Sequence, residues 1–318
     1  MPRLRLGAIR EAFTCSRRWP SCHCASVIAI PGGQLLASWY AGTYERAKDQ
    51  AILTSLCHGP AFQWESATTV VDTPGRADGN PMLWLDGSQR LWLFYVTIVG
   101  EGWEECKVYA KCSPDGYIWE EPISLREELG WMLRAKPLAL ADGTVLLPVY
   151  DERDWSSHVL LSKAGAPWRR FGHVLAQQAS QGLIQPALVP LRDGRVRMYL
   201  RTGGRGGFIW CSDSVDGGRT WSYPKPTTLP NPNSGIDVLR LRSGLWLLAY
   251  NPSSSHRTPL SLALSEDEGA SWQPAATVAS GPGEFSYPTL AEDETGTVHL
   301  LYTHKRLAIR HCAFEVCD

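Results

Sequence analysis

The sequence predicts an all-β fold, a six-bladed β-propeller with four antiparallel strands per blade. Three observations carry that expectation. A glycine turn between apolar runs recurs six times, a Ser-Asp-Gly-Trp motif recurs out of phase with it, and no long stretch has sustained 3.6-residue periodicity.

The glycine turns come first. They read PGGQLLASWY from Pro31, LDGSQRLWLFY from Leu85, ADGTVLLPVY from Ala141, RDGRVRMYL from Arg192, RSGLWLLAY from Arg242 and ETGTVHLLY from Glu294. Their glycines, Gly33, Gly87, Gly143, Gly194, Gly244 and Gly296, are 54, 56, 51, 50 and 52 residues apart. Asp-Gly between apolar runs is a hairpin signal. The second motif, S-x-D-x-G-x-x-W, is complete at Ser214, Asp216, Gly218 and Trp221 and again at Ser265, Asp267, Gly269 and Trp272. It is one residue short at Ser113, Asp115 and Trp119, and weaker versions end at Trp64 and Trp168. Here Asp accepts from backbone N–H groups, Gly permits positive φ and Trp packs on the strands, so these residues are expected to hold turns and to do no catalysis. Each period then contains two hairpins, or four strands, and six such units repeated radially form a propeller. The repeat runs without a linker, so residues 1–318 are read as one domain. Leu125–Trp131 is the kind of short stretch where a helical period appears at all.

Composition narrows function. With 318 residues, 44% hydrophobic content and a net charge of -1, the chain is globular, and nucleic acid or an anionic membrane is not the expected partner. No apolar run reaches the roughly 20 residues of a spanning helix, and the basic N-terminus lacks the apolar core of a signal peptide. Nine scattered cysteines suggest reduced thiols and a cytoplasmic setting. Cys22-His23-Cys24 has no second ligand cluster, so buried thiols are expected there and no metal. No cofactor is called for. Gly203–Gly207 lacks the Lys-Ser/Thr of a phosphate-binding loop and reads as a hairpin beside Arg201, and the Asp-rich turns lack EF-hand spacing.

The strand before each glycine turn begins with a polar residue: His23, Asn80, Lys136, Gln185, Asp237 and Tyr287. Core strands would carry apolar residues there. The loops at the same end of the strands hold Tyr44, Glu45 and Asp49, Asp151, Glu152 and Asp154, Arg201 and Arg205, Asn251 and Arg257, and His304 and Arg306. Arginines beside Tyr287 suit an anionic ligand.

With these turns, the chain from about Ser21 to Arg310 resembles the sialidase (neuraminidase) superfamily, in its branch with BNR, or Asp-box, repeats. That resemblance implies a retaining glycosidase in which three arginines clamp a carboxylate, a Tyr assisted by Glu is the nucleophile and an Asp is the acid/base. Phe285–Leu290 is similar to the nucleophile strand, with Tyr287 as the nucleophile. Arg201 and Arg257 are similar to the second and third clamp arginines. Glu45 or Asp49 would be the acid/base. Two positions depart from the pattern: His23 stands where the first arginine is expected, and Gln185 where the Glu is expected. An unperturbed phenol titrates near 10, so ionising one at pH 7 takes about 4 kcal/mol, of which Arg201 or Lys136 can supply part.

The expected function is therefore a sialidase-like, exo-acting glycoside hydrolase on an acidic or related sugar. Tyr287, Glu45, Asp49, His23 and Gln185 are its candidate catalytic residues. Arg201, Arg257, Lys136, Asn80, Asp237 and Arg306 would bind substrate. One alternative is a polysaccharide lyase, with His23 or Tyr287 abstracting the proton beside a uronate carboxylate that Lys136 or Arg201 neutralises. Another is a glycan-binding propeller without catalysis.

Overall fold

The computed structural model describes residues 2–59, 61–163, 166–175, 182–203 and 207–317. Arg205 and part of the Gly203–Gly207 hairpin lie outside the described residues. The described strands form six antiparallel sheets, the strand plan of a six-bladed β-propeller. The one helical element among the described residues is a 3-10 turn at Trp103–Glu105, and Leu125–Trp131 contains no helix.

Two compact units hold three sheets each. In the unit Met1–Leu129 with Pro282–Asp318, sheet I contains Ser21–Ile30, Gln34–Gly42 and Ala51–His58, and its last position is split into Gln63–Trp64 and Thr68–Val71. Sheet II contains Ala77–Leu85, Leu91–Ile98, Cys106–Ser113 and Ile123–Ser124. Sheet VI contains Phe285–Glu292, Val298–His304 and Ala308–Cys317, and its outer strand is the N-terminal Arg3–Thr14. The basic N-terminal segment is thus an edge strand, paired from Arg3 with Cys317 to Thr14 with Ala308. In the unit Gly130–Gly281, sheet III has its first position split into Trp131–Met132 and Leu138–Ala139, followed by Thr144–Asp151, Ser156–Lys163 and Arg169–Val174. Sheet IV runs Leu183–Pro190, Val196–Thr202, Phe208–Ser214 and Lys225–Pro230. Sheet V runs Asp237–Arg240, Trp246–Tyr250, Leu260–Ser265 and Gln273–Ala279. The expectation of four strands per blade therefore holds for four sheets, while sheets I and III reach five by the split of one position.

Strand periodicity explains the packing. In Gln34–Gly42, Leu35, Ala37, Trp39 and Ala41 join one buried cluster, with Leu301 and Ile309 of sheet VI. Leu36 and Tyr40, on the other face, join a second cluster with Leu91 and Leu93 of sheet II. Both faces are buried, so the strand reads as a continuous apolar run. The Ser-Asp-Gly-Trp turns lock the outer hairpins. Ser214 Oγ accepts from the Gly218 N–H at 2.8 Å, Asp216 Oδ1 accepts from the Arg219 and Thr220 N–H groups at 3.0 and 2.8 Å, and Trp221 Nε1 donates to the Gly218 carbonyl at 3.1 Å. Ser265 and Asp267 repeat this with Gly269 and Ser271, each at 2.8 Å. Ser113 bonds Gly116 and Asp115 bonds Ile118 in the shorter version, at 2.8 and 2.9 Å.

Candidate active site

In sheets I, II, IV and VI the first strand is bulged near its start. Register shifts fall between His23 and Ser26, Gly79 and Met82, Ile184 and Ala187, and Ser286 and Thr289. At each bulge one residue adopts left-handed φ: Cys24 (60°), Asn80 (47°), Gln185 (53°) and Tyr287 (53°). Non-glycine residues seldom adopt that conformation, and bulges re-aim side chains. This corrects the expected phase in sheet I. The residue equivalent to Asn80, Gln185 and Tyr287 is Cys24, and His23 lies one position earlier. No turn signal marks a bulge in Cys22-His23-Cys24, and the one-residue offset follows from it.

In the first unit, one cluster gathers around Tyr287, which is 9% exposed. Its ring lies 4.1 Å from that of buried His23, centroid to centroid, at an interplanar angle of 51°. His23 Nδ1 is 2.9 Å from Thr303 Oγ1 and 4.0 Å from Glu284 Oε1, and the His23 ring meets Tyr40 edge-on at 5.7 Å. Thr303 Oγ1 also accepts from the Cys24 N–H at 3.3 Å, so this hydroxyl ties the bulge to the next sheet. Arg306, in the turn of the last hairpin, bridges two carboxylates: its Nη1 is 2.5 Å from Glu45 Oε2 and its Nε is 3.3 Å from Glu284 Oε2. Burial by itself would lower the pKa of Arg306, but the charges of Glu45, Tyr40 and Glu284 outweigh burial and hold it above the ordinary guanidinium value. Burial, reinforced by Glu45, pushes the Tyr40 phenol well up. Tyr40 is thus a neutral neighbour of His23 at pH 7.

Glu45 and Asp49 share one loop with different attachments. Glu45 is engaged by Arg306, whereas exposed Asp49 accepts from the Thr43 N–H at 3.1 Å and from Thr43 Oγ1 at 2.6 Å. The loop is anchored by buried Gln50, which accepts from the Arg46 N–H at 2.8 Å and donates to the Asp78 carbonyl at 2.6 Å. Asn80 Oδ1 lies 3.6 Å from Cys24 Sγ.

The second unit holds the other candidates. Lys136 Nζ is 3.2 Å from Asp237 Oδ2, and burial pulls the Lys136 pKa down against the opposing pull of Asp237. Gln185 Nε2 lies 3.4 Å from Tyr150 Oη. Arg201 Nε donates to Asn233 Oδ1 at 2.7 Å, and Arg257 Nη2 donates to the Asn233 carbonyl at 2.9 Å. Among the described residues, no group of three or more His, Cys, Asp or Glu has the arrangement of a metal site, and no helix is long and apolar enough to cross a membrane. Cys22 and Cys24 are both buried.

The structure therefore joins Tyr287, His23, Glu45 and Arg306 in one cluster, with Asp49 on the Glu45 loop. It pairs Lys136 with Asp237 and links Arg201 with Arg257 through Asn233. Sequence reasoning missed Glu284, Tyr40, Thr303 and Asn233. Glu284 lies three residues before Tyr287 and carried a usable signal. The others sit in apolar or loop contexts that resemble many parts of the chain.

Comparison with known proteins agrees with this architecture. The family described as BNR repeat-like domain matches residues 33–300. A sialidase from Micromonospora viridifaciens is 29% identical over 165 residues, which are 48% of this chain and 24% of that protein. This chain thus spans about a quarter of that relative's length. Among solved structures, a protein of unknown function from Dyadobacter fermentans superposes with a TM-score of 0.84 at 16% identity, covering 99% of this chain and 100% of that one. The NanB sialidase from Streptococcus pneumoniae superposes with a TM-score of 0.77 at 13% identity, covering 98% of this chain and 71% of that one. At such identities the superpositions establish the fold, while the match over 33–300 establishes the family. The chain belongs to the BNR repeat-like domain family, within the sialidase-like superfamily.

Proposed function

We propose that this protein is a retaining, exo-acting glycoside hydrolase of sialidase type on an acidic or related sugar. The observation that carries the reading is the Tyr287 cluster: a phenol at a left-handed bulge, packed at 4.1 Å against buried His23 and accompanied by the Glu45–Arg306–Glu284 chain. Tyr287 attacks the anomeric carbon, or stabilises the oxocarbenium-like state, and the glycosidic bond breaks as a carboxylic acid protonates the leaving oxygen. Asp49 is assigned that acid role, because a proton on Glu45 would forfeit its pairing with Arg306. Water then cleaves the glycosyl–Tyr bond, with the same carboxylate as base. His23, beside Tyr287, is assigned the basic group that Gln185 cannot be, since an amide takes no proton. Arg201 and Arg257 are assigned to a substrate carboxylate, which a guanidinium matches bidentately. Arg306 is assigned to substrate positioning, as are Asn80, Lys136 and Asp237.

The test is a panel of aryl glycosides and glycans with mass-spectrometric detection of products, run on the parent and on Tyr287→Phe. Release of a saturated acidic sugar by the parent, abolished in a folded Tyr287→Phe, supports the reading. An unsaturated, ultraviolet-absorbing product would replace it with elimination. The amide at Gln185 favours a second reading, glycan binding without turnover. Calorimetric binding with no product after long incubation would select it.

A further inference from the structure

The second unit holds a feature that these assignments do not use. Asn233 contacts both candidate carboxylate-binding arginines through different atoms. Its side-chain oxygen accepts from Arg201 Nε at 2.7 Å, and its backbone carbonyl accepts from Arg257 Nη2 at 2.9 Å. Its Nδ2 reaches the Gly203 carbonyl at 3.4 Å, at the end of the strand that carries Arg201. The residue sits at φ 56°, in the left-handed region, which Asn tolerates better than most residues. The loop holds it there. Buried Asn231 donates to the Ser234 carbonyl at 2.9 Å and accepts from the Ser234 N–H at 3.2 Å, closing a turn around Asn233, and the Asn231 N–H bonds the Gly207 carbonyl at 2.8 Å.

We infer that Asn233 is a positioning residue, which sets the spacing and plane of the Arg201 and Arg257 guanidinium groups so that they act together on one carboxylate. The inference rests on the carboxylate-binding assignment of the two arginines made above. Guanidinium recognition of a carboxylate depends on the plane of the fork as well as on charge. The bond at Nε fixes that plane for Arg201 without using its terminal nitrogens. One residue grips both side chains, so neither can turn without straining a turn that Asn231 has closed. A neutral amide does this without adding negative charge to the place where an anion binds. Asp has the same shape and accepts the same bonds, but it would supply an internal competitor for both guanidinium groups.

The full chain is compared with Asn233→Gly and Asn233→Asp. Gly accepts the left-handed φ and keeps the carbonyl that holds Arg257, so what is lost is the Arg201 bond and the long 3.4 Å contact to the Gly203 carbonyl. Asp keeps both acceptors, gives up the Nδ2 contact to the Gly203 carbonyl as Gly does, and adds charge, so the difference in recognition between the two variants reports the charge. Solvent exchange at the Arg201 Nε–H, followed by NMR of arginine-labelled protein, is expected to be at least about tenfold faster in Asn233→Gly, with Arg257 unchanged. Affinity for N-acetylneuraminate, measured by calorimetry, is expected to weaken about tenfold in Asn233→Gly and about a hundredfold in Asn233→Asp. Parent-like affinity in Asn233→Asp, or unchanged Arg201 exchange in Asn233→Gly, would overturn the inference and leave the proposed hydrolase standing. A parent protein that binds no N-acetylneuraminate would overturn the carboxylate assignment itself, and this inference with it.

Discussion

Acid should weaken this fold well before its carboxylates titrate, and the reason is histidine. His299 and His311 are buried on the hairpin whose turn carries Arg306. His299 Nδ1 lies 3.1 Å from His311 Nε2, its Nε2 lies 3.1 Å from Asp293 Oδ2, and Trp64 Nε1 donates to His311 Nδ1 at 3.3 Å. Burial, with the charges of His299 and Arg10, pushes the His311 pKa from 6.5 down to about 3. Burial pushes His158, in the other unit, down to about 4. Burial lowers His299 as well, with Asp293 opposing. A lowered histidine pKa means that the unfolded chain takes up the proton first. Stability is then complete above about pH 6.5 and is lost as pH falls toward the folded-state value. At pH 4.5, His311 alone accounts for a loss of roughly 3 kcal/mol relative to neutral pH, and His158 for a similar amount. Against a typical total of about 5–15 kcal/mol, that is a large fraction. The measurement is urea unfolding at half-unit steps from pH 7.5 to 4.5, on the parent and on His311→Gln. The parent should lose stability throughout this window, and the variant, although weaker at pH 7.5, should show a slope smaller by about one proton. Equal slopes would refute the assignment of the acid response to this buried pair.

Gly269 sits at φ 78°, and a Cβ there would fall 2.1 Å from Tyr199 Oη, so Gly269→Ala should cost about 2–4 kcal/mol and lower the thermal midpoint measurably. Thr303→Val removes the hydroxyl shared by His23 and the Cys24 N–H. Turnover should fall about tenfold or more while secondary structure by circular dichroism is unchanged, and parent-like turnover would remove His23 orientation from the mechanism. Arg306→Met leaves Glu45 and Glu284 without their shared guanidinium and should reduce kcat/KM more than Arg306→Lys, which keeps the charge but not the fork.

The fold was legible because turn chemistry is local. Asp216 bonds N–H groups three and four residues ahead of it, so its motif carries its own structure wherever it occurs. The six glycine turns at near-equal spacing then give the number of sheets. The N-terminal strand was not legible, because its alternation of charged and apolar residues stops after residue 6, and two register shifts interrupt its pairing beyond that point. Its partner, Ala308–Cys317, lies at the other end of the chain. The site was legible in part for the same reason. Tyr287 announces itself beside a strand-start proline, whereas the Glu45–Arg306 contact joins residues 261 positions apart, and no local pattern encodes it. The offset at His23 shows the effect of a bulge, which moves a side chain by one position without any mark in composition.

Tyr287 as the reacting group is tested most directly by trapping. The full chain, incubated with a fluorinated acidic glycosyl fluoride that forms the glycosyl–enzyme bond faster than it breaks it, is digested and sequenced by mass spectrometry. A single sugar adduct on Tyr287, absent from Tyr287→Phe, is the expected result. An adduct on a carboxylate such as Glu45 or Asp49, or full turnover by Tyr287→Phe, would contradict the mechanism.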